Sequence, residues 1–353
     1  MTMARVAVIG GGIIGSSLSY HLARRGARVT VIAESGAGGV ATPATFGWLN
    51  ASWGNPEPYY HLRIASLKLW RQLGEAMPGL GVSWSGCLTY DLAEPALRDY
   101  VAQHRAWGYP VRLVDGAEAA RLEPGLREPP ALAAFAEAEG AAEPAMAVRA
   151  LLAASEARLI RAHVAEIVVE RGRVAGIRTG EETIAADLVA VAAGAGSPAL
   201  VATAGAATLK LDTTPGLLLH TAPLEPVLRR IVVGPGMDVR QTLEGRLIIG
   251  SDFGGSPITG DPAAIAKDLL ETVRRQVRGA ENARMERYTI GHRPTPADGF
   301  PVIGFVPPVS GLYVAAMHSG MTNAAAVGAW GAEEMLTGRR HPLLAPFGPD
   351  RFS

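Results

Sequence analysis

The chain has 353 residues, 48% of them apolar and 19% charged, with 33 Lys plus Arg set against 33 Asp plus Glu. That length buries a large core and points to two domains, while the even charge balance argues against nucleic acid as a partner and for a small-molecule ligand. The one cysteine, Cys87, excludes an intramolecular disulfide and a cysteine-based zinc site and agrees with a reducing compartment.

The first predicted element is a strand, Arg5 to Ile9. It starts too close to the first methionine to leave room for a leader, and the later apolar runs are cut by glycine or arginine short of the roughly 20 residues a membrane span requires. A cytoplasmic protein without a membrane span is expected. The strand runs into Gly10-Gly11-Gly12-Ile13-Ile14-Gly15, a helical pattern through Leu18 and Leu22 that stops near Gly26, and a second strand, Arg28 to Ala33, that ends at Glu34. This order is the dinucleotide fingerprint. Gly10 permits the tight turn, Gly12 lets backbone approach a pyrophosphate, and Gly15 lets the helix pack closely on the strand. The helix N-terminus offers amide donors and a favourable dipole to phosphate. Glu34, about 20 residues beyond Gly15, accepts hydrogen bonds from ribose hydroxyls and disfavours a 2′-phosphate. An adenine dinucleotide follows; whether it carries nicotinamide or flavin is left open by these residues.

Beyond Glu34-Ser35-Gly36 come Gly38-Gly39 and Thr42-Pro-Ala-Thr-Phe-Gly-Trp48. Further on stand His163-Val164 at a strand end, Arg173 to Ile177, Ala186 to Gly194, Gly291-His-Arg-Pro-Thr-Pro-Ala-Asp-Gly-Phe-Pro-Val-Ile-Gly304, and Gly311 to Asn323. Taken in this order, the segments resemble the D-amino-acid oxidase and glycine oxidase family of FAD-dependent oxidoreductases across essentially the whole chain. The resemblance implies an α/β fold: a Rossmann-like FAD-binding domain from 1–82, 146–212 and 288–353, and a substrate domain with an antiparallel sheet from 83–145 and 213–287. It implies FAD bound by Gly10, Gly12, Ile13, Ile14 and Gly15, by Glu34 and Ser35, and by Thr42, Phe46, Gly47 and Trp48 along the flavin. Val164 would meet the adenine, Gly194 the return to the nucleotide site, and His318, Ser319, Gly320, Met321, Thr322 and Asn323 the flavin itself. Core packing is the alternative for Trp48. A second nucleotide fingerprint is not found, since Ser197-Pro198 breaks the spacing after Gly194-Ala-Gly196. The flavin is therefore expected to be reduced directly by an organic substrate.

Arg293 is the leading catalytic candidate. Its planar fork of donors matches a carboxylate bidentately, and Pro294, Pro296 and Pro301 stiffen the loop around it; the alternative is a structural arginine paired with Asp298 or a carbonyl. His318 either touches the ring or substrate or is a satisfied structural histidine. Arg240, in the strand Met237 to Thr242, faces either the substrate or solvent. Cys87 reads as a buried strand residue, and His61 and His292 lack partners at metal spacing. Sarcosine oxidases, which are similar, tether flavin through a cysteine where this chain has Gly291 and His292, so the FAD is expected to be noncovalent. The lysine those enzymes use with oxygen has no counterpart in Leu247-Ile248-Ile249, so oxygen and another electron acceptor both stay open. The expected reaction is oxidation of the C–N bond of an amino acid or secondary amine of glycine, sarcosine or D-amino-acid type. The alternatives are a flavoprotein dehydrogenase for a proline-like or opine substrate, alone or as one subunit of a complex, and a non-catalytic electron-relay subunit. Homo-oligomerisation is compatible with all three.

Overall fold

The strand Arg5–Ile9 lies inside a six-stranded sheet in the order Val302–Phe305, Leu312–Ala316, Leu188–Val191, Arg5–Ile9, Arg28–Ile32, Arg158–Ile160. The computed structural model describes residues 3–52, 55–180, 182–206, 209–250 and 258–352. All neighbours in this sheet are parallel except the edge pair Val302–Phe305 and Leu312–Ala316. Burial on both faces explains why Arg5–Ile9 is apolar without alternation. Val6 and Val8 pack with Leu18 and Leu22 of the helix Ile13–Arg24 and with Ala326 and Val327 of the helix Gly320–Thr337. Ala7 and Ile9 face the other way, onto Val164, Ile167 and Ile177. These belong to an antiparallel three-stranded sheet, Val164–Glu170, Arg173–Thr179 and Thr183–Ala185. Val164 thus opens a strand instead of ending one; the preceding strand stops at Ile160 to pair with Arg28–Ile32.

A second, eight-stranded sheet runs Met285–Pro296, Leu211–Thr221, Leu247–Gly250, Met237–Gln241, Ile231–Gly234, Cys87–Thr89, Leu132–Ala136, Val111–Asp115. It is antiparallel apart from the Cys87–Thr89 and Ile231–Gly234 pair. Alternation sorts its side chains. Leu88, Val232, Val239, Leu247 and Ile249 go to the helix Pro262–Gln276, which is capped by Asp261 and buries Leu269, Leu270 and Val273. Cys87, Ile231, Val233, Ile248 and Leu218 go to the opposite face, where Phe46 and Trp48 meet them. A small sheet, Trp48–Leu49, Gly140–Ala142 and Val82–Ser83, ties the segment after Glu34 to the eight-stranded sheet's flank.

The segment around Arg293 differs from the expected loop. Arg293 sits on the 12-residue strand Met285–Pro296, opposite Thr214. Pro294 and Pro296 are accommodated because this is the sheet's edge strand, where a missing N–H breaks no ladder bond. The expected boundaries at 212 and 288 fall inside the two strands Leu211–Thr221 and Met285–Pro296, which pair along their length. Cys87 is a buried strand residue, as expected.

Candidate active site

The loops at the ends of the six-stranded sheet and the inner face of the eight-stranded sheet enclose one cavity of about 1200 Å³. At its nucleotide end the glycines are dictated by backbone contact. Gly10 has φ +117°, and a Cβ on it would lie 2.2 Å from the Ala192 carbonyl oxygen; a Cβ on Gly15 would lie 1.9 Å from the Gly10 oxygen. No side chain larger than hydrogen fits either position. The helix Ile13–Arg24 begins at this turn with no acidic residue in its first turn, and the Ile13 amide donates to Thr42 Oγ1 at 3.1 Å. A cradle of backbone at a helix N-terminus is the donor set a pyrophosphate needs. Glu34 lines the same cavity with its carboxylate exposed, 3.2 Å from His163 Nδ1, beside Val164. These residues fit an adenosine diphosphate moiety.

The cavity continues past Phe46 and Trp48, which are 4% and 9% exposed. Their rings meet edge to face at 6.5 Å. Trp48 is held by its indole N–H, which donates to Glu139 Oε2 at 2.7 Å; Glu139 Oε1 accepts from Ser52 and Tyr109 hydroxyls at 2.6 Å each. Glu139 is 1% exposed. Burial raises its carboxyl pKa while these donors pull it back down.

At the far end the wall is polar: Asn50, Arg63, Asp91, Asp238, Arg293 and His318. The Arg293 side chain lies across the neighbouring strand over Gly216, where a Cβ would stand 2.4 Å from Nη2 and 2.8 Å from Cζ. Asp298, the acid expected as its structural partner, is instead bound by Arg351. Ser319, ahead of the helix Gly320–Thr337, adopts left-handed φ 56° and ψ 33°, a strained choice for a non-glycine residue and one that clusters at functional sites. Its hydroxyl is 3.0 Å from His318 Nδ1. Burial, then the charges of Arg293 and Arg63, lower the His318 pKa to about 4, so at neutral pH the ring is uncharged and the helix start supplies the local positive potential.

Of the residues expected at the site, Gly10, Gly12, Ile13, Ile14, Glu34, Ser35, Thr42, Phe46, Trp48, Val164, Gly194, Arg293 and the run His318 to Thr322 line the cavity. Four do not. Gly15 lies under the turn, as a packing glycine. Gly47 is pressed against the Ala142 carbonyl and the Arg240 guanidinium. Asn323 is fully buried, its Nδ2 donating to the Tyr59 hydroxyl at 2.9 Å. Arg240 neither faces the substrate nor solvent: it is 2% exposed, pairs with Glu143 at 2.8 Å and donates to the Phe46 carbonyl. It braces the aromatic wall from behind. Arg63, Asn50, Asp238 and Glu139 were not anticipated. Arg63 had a legible signal, as the charged member of the stripe Tyr59, Leu62, Ser66, Trp70 and Leu73 that the helix Glu57–Ala76 buries.

Comparison with known proteins agrees with this geometry. The model of the FAD dependent oxidoreductase family matches residues 5–334. The glycine oxidase of Geobacillus kaustophilus (strain HTA426) is 27% identical over 330 residues, covering 89% of this chain and 87% of that protein. The crystal structure of glycine oxidase from Geobacillus kaustophilus superposes with a TM-score of 0.87 at 26% identity over 98% of both chains. L-proline dehydrogenase from P. horikoshii shares the fold, with a TM-score of 0.88 at 22% identity, covering 99% of this chain and 98% of that one. Among the described residues no helix is long and apolar enough to cross a membrane. The glycine cradle, the long cavity and the match over nearly its whole length agree: the chain belongs to the FAD-dependent oxidoreductase family that includes D-amino-acid and glycine oxidases.

Proposed function

We propose that the protein oxidises the C–N bond of an amino acid or secondary amine of glycine, sarcosine or D-amino-acid type. The observation that carries this reading is Arg293, a guanidinium that lies against Gly216 on the cavity wall, within electrostatic reach of His318. A fork of donors held in one plane grips a carboxylate bidentately and fixes the substrate's direction. FAD, when bound, would supply the two-electron acceptor for the substrate's α-hydrogen. Gly10, Gly12 and the amides of Ile13 and Ile14 would hold its pyrophosphate, and Glu34 its ribose. Phe46 and Trp48 exclude water from the reacting face, and the N-terminus of the helix Gly320–Thr337 directs positive potential at that end of the cavity. His318, uncharged, leaves a neutral substrate amine undisturbed, and no residue is required as a base. The imine product hydrolyses in water.

A noncovalently held cofactor is supported by Cys87, which is fully buried outside the cavity lining with its thiol pKa pushed well up by burial. The division into a cofactor part (1–82, 146–212, 288–353) and a substrate part (83–145, 213–287) places Arg293 on a strand that spans both. The deciding experiment adds glycine, sarcosine, D- and L-amino acids to the purified yellow protein without oxygen. Bleaching of the visible flavin band by at least one of them, with Arg293→Ala raising KM for it about 100-fold, roughly the loss of a charge-assisted bidentate contact of 2–3 kcal/mol, is expected. A protein that binds FAD but is bleached by none of them refutes the proposal. Peroxide yield per substrate consumed then distinguishes oxygen from another acceptor.

A further inference from the structure

Arg63 is a cavity-lining cation that no carboxylate contacts directly among the described residues. It is 6% exposed. Its Nε donates to the Asn50 carbonyl at 3.0 Å, its Nη2 to Asn50 Oδ1, and its Cζ lies 5.4 Å from the centre of the Tyr59 ring. Tyr59 is pinned in turn, donating to the His318 carbonyl at 3.3 Å and accepting from Asn323 at 2.9 Å. These contacts fix the direction of the guanidinium yet leave Nη1 without a hydrogen bond, and Arg63 without a paired carboxylate, among the described residues. Glu139 acts on Arg63 only through space, because both its oxygens are engaged by Trp48, Ser52 and Tyr109. Arg240, the other deeply buried arginine near the cavity, shows the contrast: it has Glu143 directly against it.

A guanidinium withdrawn from water is unfavourable unless something supplies the missing negative charge. The cofactor's pyrophosphate belongs at the glycine turn, and neither Asp91 nor Asp238, which line the same cavity, makes a hydrogen bond or ion pair with Arg63. The remaining source is the substrate. We infer that Arg63 binds a second acidic group of the substrate, so that the preferred substrates are amino acids or secondary amines bearing two carboxylates, one on Arg293 and the other on Arg63. Both guanidiniums line the same cavity with His318, whose carbonyl accepts from the Tyr59 hydroxyl beneath Arg63. This rests on the proposed oxidation only for the role of Arg293.

Two measurements on the holoenzyme test it. In the first, acetate and malonate, neither of which can be oxidised, are titrated against the visible flavin spectrum; malonate is expected to bind at least about tenfold more tightly. In the second, kcat/KM is compared within matched pairs: sarcosine with iminodiacetate, D-alanine with D-aspartate, and D-norvaline with D-glutamate. At least one diacid is expected to lead its partner by about tenfold or more through KM. In Arg63→Met that ratio collapses towards one, and Arg63→Lys restores part of it. Equal binding of acetate and malonate overturns the inference. So does a preference for monoacids or cationic side chains, or an Arg63→Met variant in which both members of each pair fall together with the ratio unchanged. If no amine reduces the flavin, the proposed oxidation fails, and the malonate titration still decides the role of Arg63.

Discussion

Gly216→Ala isolates the role of Arg293 without touching it. Gly216 lies mid-strand opposite Gly291, outside the positive-φ set, so alanine suits its backbone. The added methyl would stand 2.4 Å from Nη2, 2.8 Å from Cζ and 3.2 Å from Nε of Arg293. Ordinary contact is about 3.5 Å, so the guanidinium must move by about 1 Å. That movement is cheap for the fold, because the displaced atoms are the far end of a flexible side chain, and replacing a strand glycine offsets it by up to about 1 kcal/mol. It is expensive for a bound substrate, since misplacing a positioning group by about 1 Å costs about 100-fold in rate, or about 2.7 kcal/mol. The assay is steady-state kcat/KM with the best amino-acid substrate, alongside a thermal melt. A drop of about 100-fold with an unchanged or raised Tm is expected, and the same substitution in an Arg293→Ala background should be nearly silent. If Gly216→Ala keeps wild-type kcat/KM, or is as damaging without Arg293 as with it, the guanidinium over Gly216 does not position the substrate.

Gly15→Ala places a methyl 1.9 Å from the Gly10 carbonyl oxygen, in backbone that cannot yield; the purified variant should lack the visible flavin band, and FAD retention equal to wild type would contradict the cradle. Arg240→Ala leaves the partly buried Glu143 without its guanidinium and the Phe46 carbonyl without its donor, and urea unfolding should show a loss of about 3 kcal/mol, a value near zero placing Arg240 elsewhere. His220, buried beside Thr289 and near several arginines, has its pKa lowered to about 4 from 6.5. Because its folded form resists protonation, the unfolded state binds more protons between these values, so its contribution is present above about pH 6.5 and is lost progressively as pH falls towards 4. Unfolding free energies at pH 7 and pH 4.5 should differ less in His220→Gln than in wild type, and equal pH dependence would refute the assignment.

How much could be read from residues alone depended on how local the cause was. The run Arg5 to Glu34 declares its strand, turn, helix and acid because each is set by neighbours in sequence: glycine where backbone meets backbone, an apolar run where both faces are covered. Arg293 could be singled out by resemblance, but its mounting could not, since Gly216 makes room for it from 77 positions away. Arg240 looked like a site residue on a strand of the right face; what removes it from the cavity is Glu143, brought beside it by folding. Arg63 is the reverse case, a charge on a buried helical stripe whose meaning appears only when Asn50, Tyr59 and His318 assemble around it. The dinucleotide site and the order of elements around it were legible along the chain, because turn geometry and hydrophobic periodicity are short-range. Which buried charges are paired and which face the cavity emerged with folding, because a counter-ion is a matter of distance in space and carries no signature along the chain.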